Sequence, residues 1–378
     1  MLIGVLCIAV VGFYTFVILQ SRFLHTAFAD VPWGDYSTPD ILRDGVSVAS
    51  VPQDEQWLRT QRVVICGLLR DKEGQVAYLQ RALPRITSLF ADWALVVVEN
   101  NSTDNTRERL LEWQQHDTNH IHVLAPASTT TTNSNDSTAA ESPVPMFRTV
   151  RHDYTEWRIR KMAALRNSYM AYVSSHAALS QYELLVVMDL DLQSFLYTDG
   201  LLSTAHHLHT NHHIAAIAAN GQQLTTAPLT AQLLYGFEYQ DPYAHEDERN
   251  AGKGLAQQLD NVRSKFVNRF QYGDELRAVR SAFGGFAVYR MERVVGLRYG
   301  VVYSDSGGHV LCEHVSLNRQ LAAGGGGMFV NPSMMHVIVD NRDGYVDRRN
   351  EVPLALHPLT THVANVDSEA VDLLLATI

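Results

Sequence analysis

The sequence predicts an α/β fold with a mostly parallel central sheet flanked by helices. Three observations carry that prediction. Strand-like and helix-like stretches alternate from Arg62 to Leu124. The strand-like runs are apolar throughout, as strands covered on both faces are. One of them, Leu184-Leu185-Val186-Val187-Met188, runs straight into Asp189-Leu190-Asp191, at the strand end where open α/β sheets bind their ligands.

With 378 residues, 46% hydrophobic and 19% charged, the chain has ample material for a core. A formal net charge of −10 and the lack of any Lys/Arg-rich run argue against nucleic acid as a partner. Cys7, Cys66 and Cys312 form neither a disulfide framework nor a zinc motif. Cys66 and Cys312 are read as buried free thiols, with a mutual disulfide as the alternative in an oxidising compartment.

Taken in order, Leu2 to Leu19 is uncharged and almost wholly apolar, long enough for a bilayer-spanning helix. Residues 1–22 are therefore expected to anchor the chain in a membrane; a signal peptide cleaved near Ala27-Phe28-Ala29 is the alternative. Residues 23–60, with Pro32, Pro39 and Pro52, read as a stem or linker. The globular domain is expected over 61–340. Arg62 to Arg70 is a buried strand, Glu73 to Phe90 a helix, and Trp93 to Glu99 a second strand. Arg107 to Gln115 is helical, with Asn105 and Glu108 at capping-box spacing, and His120 to Leu124 is a third strand.

Ala125 to Pro145 is rich in Ser, Thr and Asn and reads as a flexible surface insertion. Arg158 to Ser175 is a helix carrying Arg166 and Asn167. Leu201 to His213 holds His206, His207, His209, His212 and His213, read as a polar helix face or loop in preference to a metal site. Ile214 to Ala219 is another strand, and Asp241 to Gly273 is charged and irregular. Ser281 to Tyr289 is a strand opened by Gly284-Gly285, a doublet that marks a bulge or a ligand's close approach to backbone. Glu313 and His314 head a helix through Leu321, Met328-Phe329-Val330 is a short strand, and His336 follows Pro332. Residues 341–378 form a C-terminal extension.

The chemistry concentrates at the aspartate pair. With a period of two, Asp189 and Asp191 share one side of their strand and Leu190 takes the other. Two hard oxygen donors at that spacing suit Mg²⁺ or Mn²⁺, which take one or two carboxylates and complete their shells with substrate phosphates.

In this order the segments resemble a GT-A glycosyltransferase, the nucleotide-sugar-dependent class built on a Rossmann-like sheet, in its family 2-like, Asp-x-Asp form. The resemblance covers about residues 62 to 338 and rests on Val96 to Thr106, Arg166-Asn167, Asp189-Leu190-Asp191, Phe283-Gly284-Gly285, Cys312-Glu313-His314 and His336. It implies Mn²⁺ or Mg²⁺ on Asp189, Asp191 and His336. It also implies a UDP- or GDP-hexose donor held by Arg70, Glu99, Asn101, Asp104, Arg166 and Asp189, with Gly284 and Gly285 under the sugar. Glu313 and His314 are the candidate bases for the acceptor hydroxyl, unless the enzyme is retaining and needs none. The implied reaction is metal-dependent transfer of a hexose to a hydroxyl of a glycan or glycoconjugate acceptor. The Asp241 to Gly273 stretch would shape the acceptor side.

Two departures stand out. Glu99-Asn100-Asn101 replaces the aspartates common after the second strand, and His314 replaces a common aspartate. A sugar nucleotidyltransferase would share the sheet and acids, but Gly67-Leu68-Leu69-Arg70-Asp71-Lys72 is a poor triphosphate-gripping loop. A catalytically inactive carbohydrate-binding or scaffold protein is the third reading. By analogy with Golgi transferases, the layout suggests a single-pass Golgi or ER membrane protein with a lumenal domain, although Arg22 and His25 after the span oppose that orientation. Asn100 and Asn101 each head a glycosylation sequon, and both are expected to stay unmodified because the nucleoside would sit there.

Overall fold

The computed structural model describes residues 51–125, 155–191, 194–196, 198–226, 235–239, 241–247, 274–305 and 308–339. The expected membrane span, the insertion beyond Ala125 and the C-terminal extension lie outside these residues. Among the described residues no helix is long and apolar enough to cross a membrane.

The first half of the domain is β1 (Arg62–Leu69), α2 (Glu73–Thr87), β2 (Asp92–Glu99), α3 (Thr106–His116) and β3 (Ile121–Leu124), preceded by α1 (Val51–Leu58). Then come α4 (Glu156–Ser175), β4 (Leu184–Met188), β5 (Ser194–Leu196), α5 (Thr198–Thr210), β6 (Ile214–Thr226) and β7 (Tyr235–Tyr239). The described chain closes with β8 (Arg277–Val279), β9 (Phe286–Arg290), α6 (Met291–Val294), α7 (Glu313–Ala323) and β10 (Gly327–Val339).

The main path of the sheet runs β3-β2-β1-β4-β9-β6-β10-β5. β1 pairs in parallel with both β2 and β4, whereas β9 runs antiparallel between β4 and β6. The chain thus winds outward from β1 to β3 and then returns to the opposite side of β1. That reversal opens a crevice at the carboxyl ends of β1 and β4, the topological switch point of an open α/β sheet.

Alternation along each strand sorts two cores onto the two faces. Val64, Cys66, Leu185 and Val187 face the layer made by α4 and α7. Val63, Ile65, Leu184, Val186 and Met188 face α1, α2, α3 and α5. Continued past Met188, the same period sends Leu190 into the second core and turns Asp189 toward α4. Cys66 and Cys312 are free and buried.

Three local expectations give way. Val51–Leu58, placed in the linker for want of sustained periodicity, is a helix docked on α5 with Leu58 and Asp54 buried. His206 Nδ1 lies 3.2 Å from Asp54 Oδ1, and His209 stacks on Trp57 with ring centroids 5.4 Å apart. These two histidines of the tract therefore serve helix docking. Asn105 does not cap α3 through its side chain; the Thr106 amide donates to Asp104 Oδ1 at 3.0 Å instead. Finally, β10 is far longer than Met328-Phe329-Val330, because a register shift between Asn331 and Met335 absorbs Pro332 and lets pairing resume.

Candidate active site

The site is built where β4 ends. Gly67 makes the end of β4 possible: a β-carbon there would lie 2.5 Å from the Met188 carbonyl oxygen and would collide with the Leu190 side chain. Leu190 is fully buried and anchors the turn, so the carboxylates on either side of it project into the crevice. The Asp189 amide donates to the Gly285 carbonyl at 2.9 Å. Gly284 and Gly285 reach it with φ of +63° and +77°, values that side chains bearing a β-carbon rarely adopt. A β-carbon on Gly284 would also lie 2.9 Å from the Gly221 amide nitrogen.

α4 approaches from the other side. Arg166, almost fully buried, donates from Nε to Glu313 Oε1 at 3.0 Å and places Nη2 3.6 Å from Asp189 Oδ1. Its guanidinium carbon lies 5.4 Å from the Phe283 ring centroid and 5.8 Å from that of Tyr299. Asn167 pins Tyr299 in place through two hydrogen bonds: its amide donates to the Tyr299 carbonyl and its oxygen accepts from the Tyr299 amide. Tyr299 carries no motif and was invisible in the sequence.

The electrostatics are lopsided. Loss of water pushes the Asp189 carboxyl well above its ordinary pKa, with Asp191, Asp241 and Glu313 adding repulsion and Arg166 opposing it. Asp241 is pushed up to about 6, chiefly by loss of water and then by Glu313. Four acids, Asp189, Asp191, Asp241 and Glu313, face two guanidinium groups, Arg166 and, at Asp241, Arg158, and a divalent cation is a natural further counter-charge. Among the described residues no three His, Cys, Asp or Glu side chains converge to cage an ion. The protein alone therefore does not assemble the expected set of Asp189, Asp191 and His336. Two carboxylates with substrate phosphates completing the shell still match what Mg²⁺ and Mn²⁺ accept.

Comparison with known proteins adds a view of the fold alone. No protein-family model matches the chain, and no curated protein matches it. Its backbone is similar to a mannosyltransferase from Pyrobaculum calidifontis solved with GDP-Man and Mn²⁺, at 13% identity and a TM-score of 0.40, over 89% of this chain and 69% of that one. It is also similar to the glucosyl-3-phosphoglycerate synthase of M. tuberculosis, at 12% identity and a TM-score of 0.38, over 88% and 86% of the two chains. A third likeness is to GalNAc-T7 with UDP, GalNAc and Mn²⁺, at 10% identity and a TM-score of 0.36, over 74% of this chain but only 44% of that one. At these scores the argument about activity rests on the site.

Several expected roles change on inspection of the contacts. Glu99 is fully buried, accepting from the Ser102 amide at 2.5 Å and pairing with Arg107 Nε at 2.6 Å. It shapes the loop after β2 and has no face left for a nucleoside. Asp104 accepts from the amides of Glu73 and Thr106, both at 3.0 Å, tying the starts of α2 and α3 together. His314 is buried, stacked on Phe283 at 3.9 Å between centroids and edge-on to Tyr299. Burial also depresses its pKa strongly, so it is not a base within reach of an acceptor. His336 is buried too, its pKa lowered to about 4 by burial. Its Nδ1 lies 3.0 Å from the Gly284 carbonyl, which makes Nδ1 the protonated donor and His336 a support for the glycine turn.

Arg70 and Asn101 stand on the loops that follow β1 and β2. Arg70 pairs with Asp71 at 3.0 Å. Asp71 accepts from the Thr103 amide at 2.6 Å, while its own amide donates to Ser102 Oγ at 3.1 Å. Asp71 and Asn101 both hold positive φ, +50° and +56°, strained positions of the kind that concentrate at ligand-binding loops.

Proposed function

We propose that this protein is a metal-dependent glycosyltransferase that moves a hexose from a UDP- or GDP-sugar to a hydroxyl of a glycan or glycoconjugate. The observation that carries this reading is the aspartate pair at the end of β4, tied through the Asp189 amide to the Gly284-Gly285 turn at the switch-point crevice. Asp189 and Asp191 would hold Mn²⁺ or Mg²⁺, which when bound stabilises charge on the departing diphosphate. Arg166 holds Asp189 and Glu313 in fixed relation, and the Gly284-Gly285 turn, packed on the backbone of Ala219 and Gly221, fixes the Asp189 amide. Glu313 is buried like His314, with one carboxylate oxygen held by Arg166 and the other by the Cys312 thiol, so we assign it to holding Arg166 beside Asp189, and neither expected base takes the acceptor proton.

Incubating the purified chain with Mn²⁺ and a panel of UDP- and GDP-hexoses tests this directly. Sugar transfer or slow donor hydrolysis, lost in Asp191→Asn, is the expected result. Pyrophosphate release from a nucleoside triphosphate would make it a nucleotidyltransferase instead, and binding of sugars without turnover would make it a scaffold.

We further place the catalytic domain in the Golgi or ER lumen behind a single N-terminal anchor, on the strength of the apolar run Leu2 to Leu19. Protease protection of the domain in intact microsomes is the expected outcome, and digestion without detergent would reverse the orientation.

A further inference from the structure

With Glu313 and His314 both enclosed, the acceptor proton still needs a taker, and Asp241 is placed to be one. β7 pairs antiparallel with β6 and ends with Tyr239 opposite Gln222. Gln222 follows Gly221, whose backbone packs on Gly284. The chain then passes through Asp241 and is pinned directly beyond it. The Tyr243 hydroxyl donates to the Val310 carbonyl, just ahead of Glu313. The Glu246 amide donates to the Ser281 carbonyl at 2.9 Å, and the Ser281 amide returns to the Glu246 carbonyl at 3.1 Å. Glu246 is also held by α7, since Arg319 Nε donates to its Oε2 at 3.0 Å. Asp241 therefore lies between the glycine turn that receives the Asp189 amide and the start of α7.

Pro242 to Glu246 are all buried, whereas Asp241, just before them, keeps part of its surface in solvent. Its φ of +59° is a left-handed value that persists where the surroundings impose it, as they do at ligand clamps. Its carboxylate takes the Ala244 N–H, and among the described residues no side chain hydrogen-bonds or ion-pairs with it. A general base must first be able to reach the proton it takes, and only then does its pKa matter. Loss of water and the repulsion of Glu313 raise that pKa to about 6, which suits a base near neutral pH. We propose that Asp241 is the general base that removes the proton of the acceptor hydroxyl, in a single displacement that inverts the anomeric carbon. The inference rests on the glycosyltransferase reading and adds to it the proton acceptor and the stereochemistry. The hydroxyl proton passes to an Asp241 carboxylate oxygen as the hydroxyl oxygen bonds to the anomeric carbon. The bond from that carbon to the diphosphate oxygen breaks, and its electron pair leaves with the nucleoside diphosphate.

The test uses the purified full chain with Mn²⁺, the donor it consumes from the panel of UDP- and GDP-hexoses, and two nucleophiles, water and azide. Water must lose a proton as it attacks, whereas azide carries none. Asp241→Asn keeps the size, an acceptor for the Ala244 N–H and tolerance of the positive φ; Asp241→Gly takes that φ without strain. Both are expected to slow release of the nucleoside diphosphate into water about 100-fold, within the usual contribution of a general base. The rise in melting temperature on adding that nucleoside diphosphate with Mn²⁺ should stay as in the wild type. Azide is expected to restore release in Asp241→Gly and to give a glycosyl azide of inverted configuration, a response that a merely loop-shaping residue would not show. Unchanged hydrolysis in both variants, no rescue by azide, or a product of retained configuration overturns the assignment and leaves the transferase reading standing. Loss of the nucleotide-dependent rise in both variants makes Asp241 a structural residue and overturns it as well. A wild-type chain that consumes no donor from the panel sinks the transferase reading, and the assignment goes with it.

Discussion

Arg166 Nε donates to Glu313 Oε1 at 3.0 Å, joining the middle of α4 to the first residue of α7 across 147 positions of the chain. Both side chains are at least 95% buried. The pair closes the floor of the crevice beneath Asp189 and ties two helices to the end of a third element, β4.

Removing one member should therefore hurt more than replacing both. Arg166→Met leaves Glu313 buried beside Asp189 with no cation, and a broken buried pair of this kind costs about 3–5 kcal/mol. Arg166→Met with Glu313→Leu should recover much of that stability while abolishing turnover. Urea unfolding of the two single variants and the double variant measures the coupling; additive losses would show that the pair does not act as a unit.

Gly67→Ala is expected to separate stability from function. The added methyl meets Leu190 and the Met188 carbonyl, and overpacking of this sort costs about 1–3 kcal/mol. Because Leu190 sits between the two aspartates, the damage should fall on metal-dependent donor binding while the circular dichroism spectrum is kept. Unchanged Mn²⁺-dependent affinity for the donor would contradict the role given to Gly67.

The contact between the loop after β1 and the loop after β2 should loosen in acid. Burial pushes the carboxyls of Asp71 and Asp104 up, but hydrogen bonds from Thr103 and Arg70 to the first, and from Thr106 and Glu73 to the second, bring both below the ordinary 3.8. A carboxyl whose folded pKa is depressed stabilises the fold above its unfolded value, and that contribution disappears as pH falls through the folded value. Amide exchange at Ser102 and Thr103 should accelerate below about pH 4, and Asp71→Asn should remove most of that acid sensitivity at Thr103.

Asn100 should carry no glycan even when its sequon meets the lumenal machinery. The residue is 4% exposed and its backbone N–H donates to the Leu69 carbonyl, so a folded domain offers no access to the side chain. Peptide mapping by mass spectrometry of the secreted domain checks this, and full occupancy at Asn100 would contradict the buried position.

The elements themselves were legible because their signals are local. Apolar runs and the period of two locate β1, β2 and β4, and the same period places Asp189 and Asp191 on one side of their strand. The glycine doublet marked a tight turn before β9 without revealing that its carbonyl would receive the Asp189 amide. Roles failed where a side chain's partner was distant or unremarkable. Glu99 looked free for a ligand until Arg107 and the Ser102 amide occupied it, and His314 looked like a base until Phe283 and Tyr299 enclosed it.

By itself, then, the sequence determined the order from β1 through α2, β2, α3, β3 and α4 to β4, the buried faces of those strands and the carboxylate pair at a strand end. Those follow from residue size, polarity and spacing along a few consecutive positions. Only the tertiary structure decided which charged groups meet, since Arg166, Asp189, Asp241 and Glu313 come from four separate segments brought together by sheet order. Packing excludes water there, and together with their mutual repulsion this raises the pKa of Asp189 and Asp241, an effect that no single segment of the sequence displays.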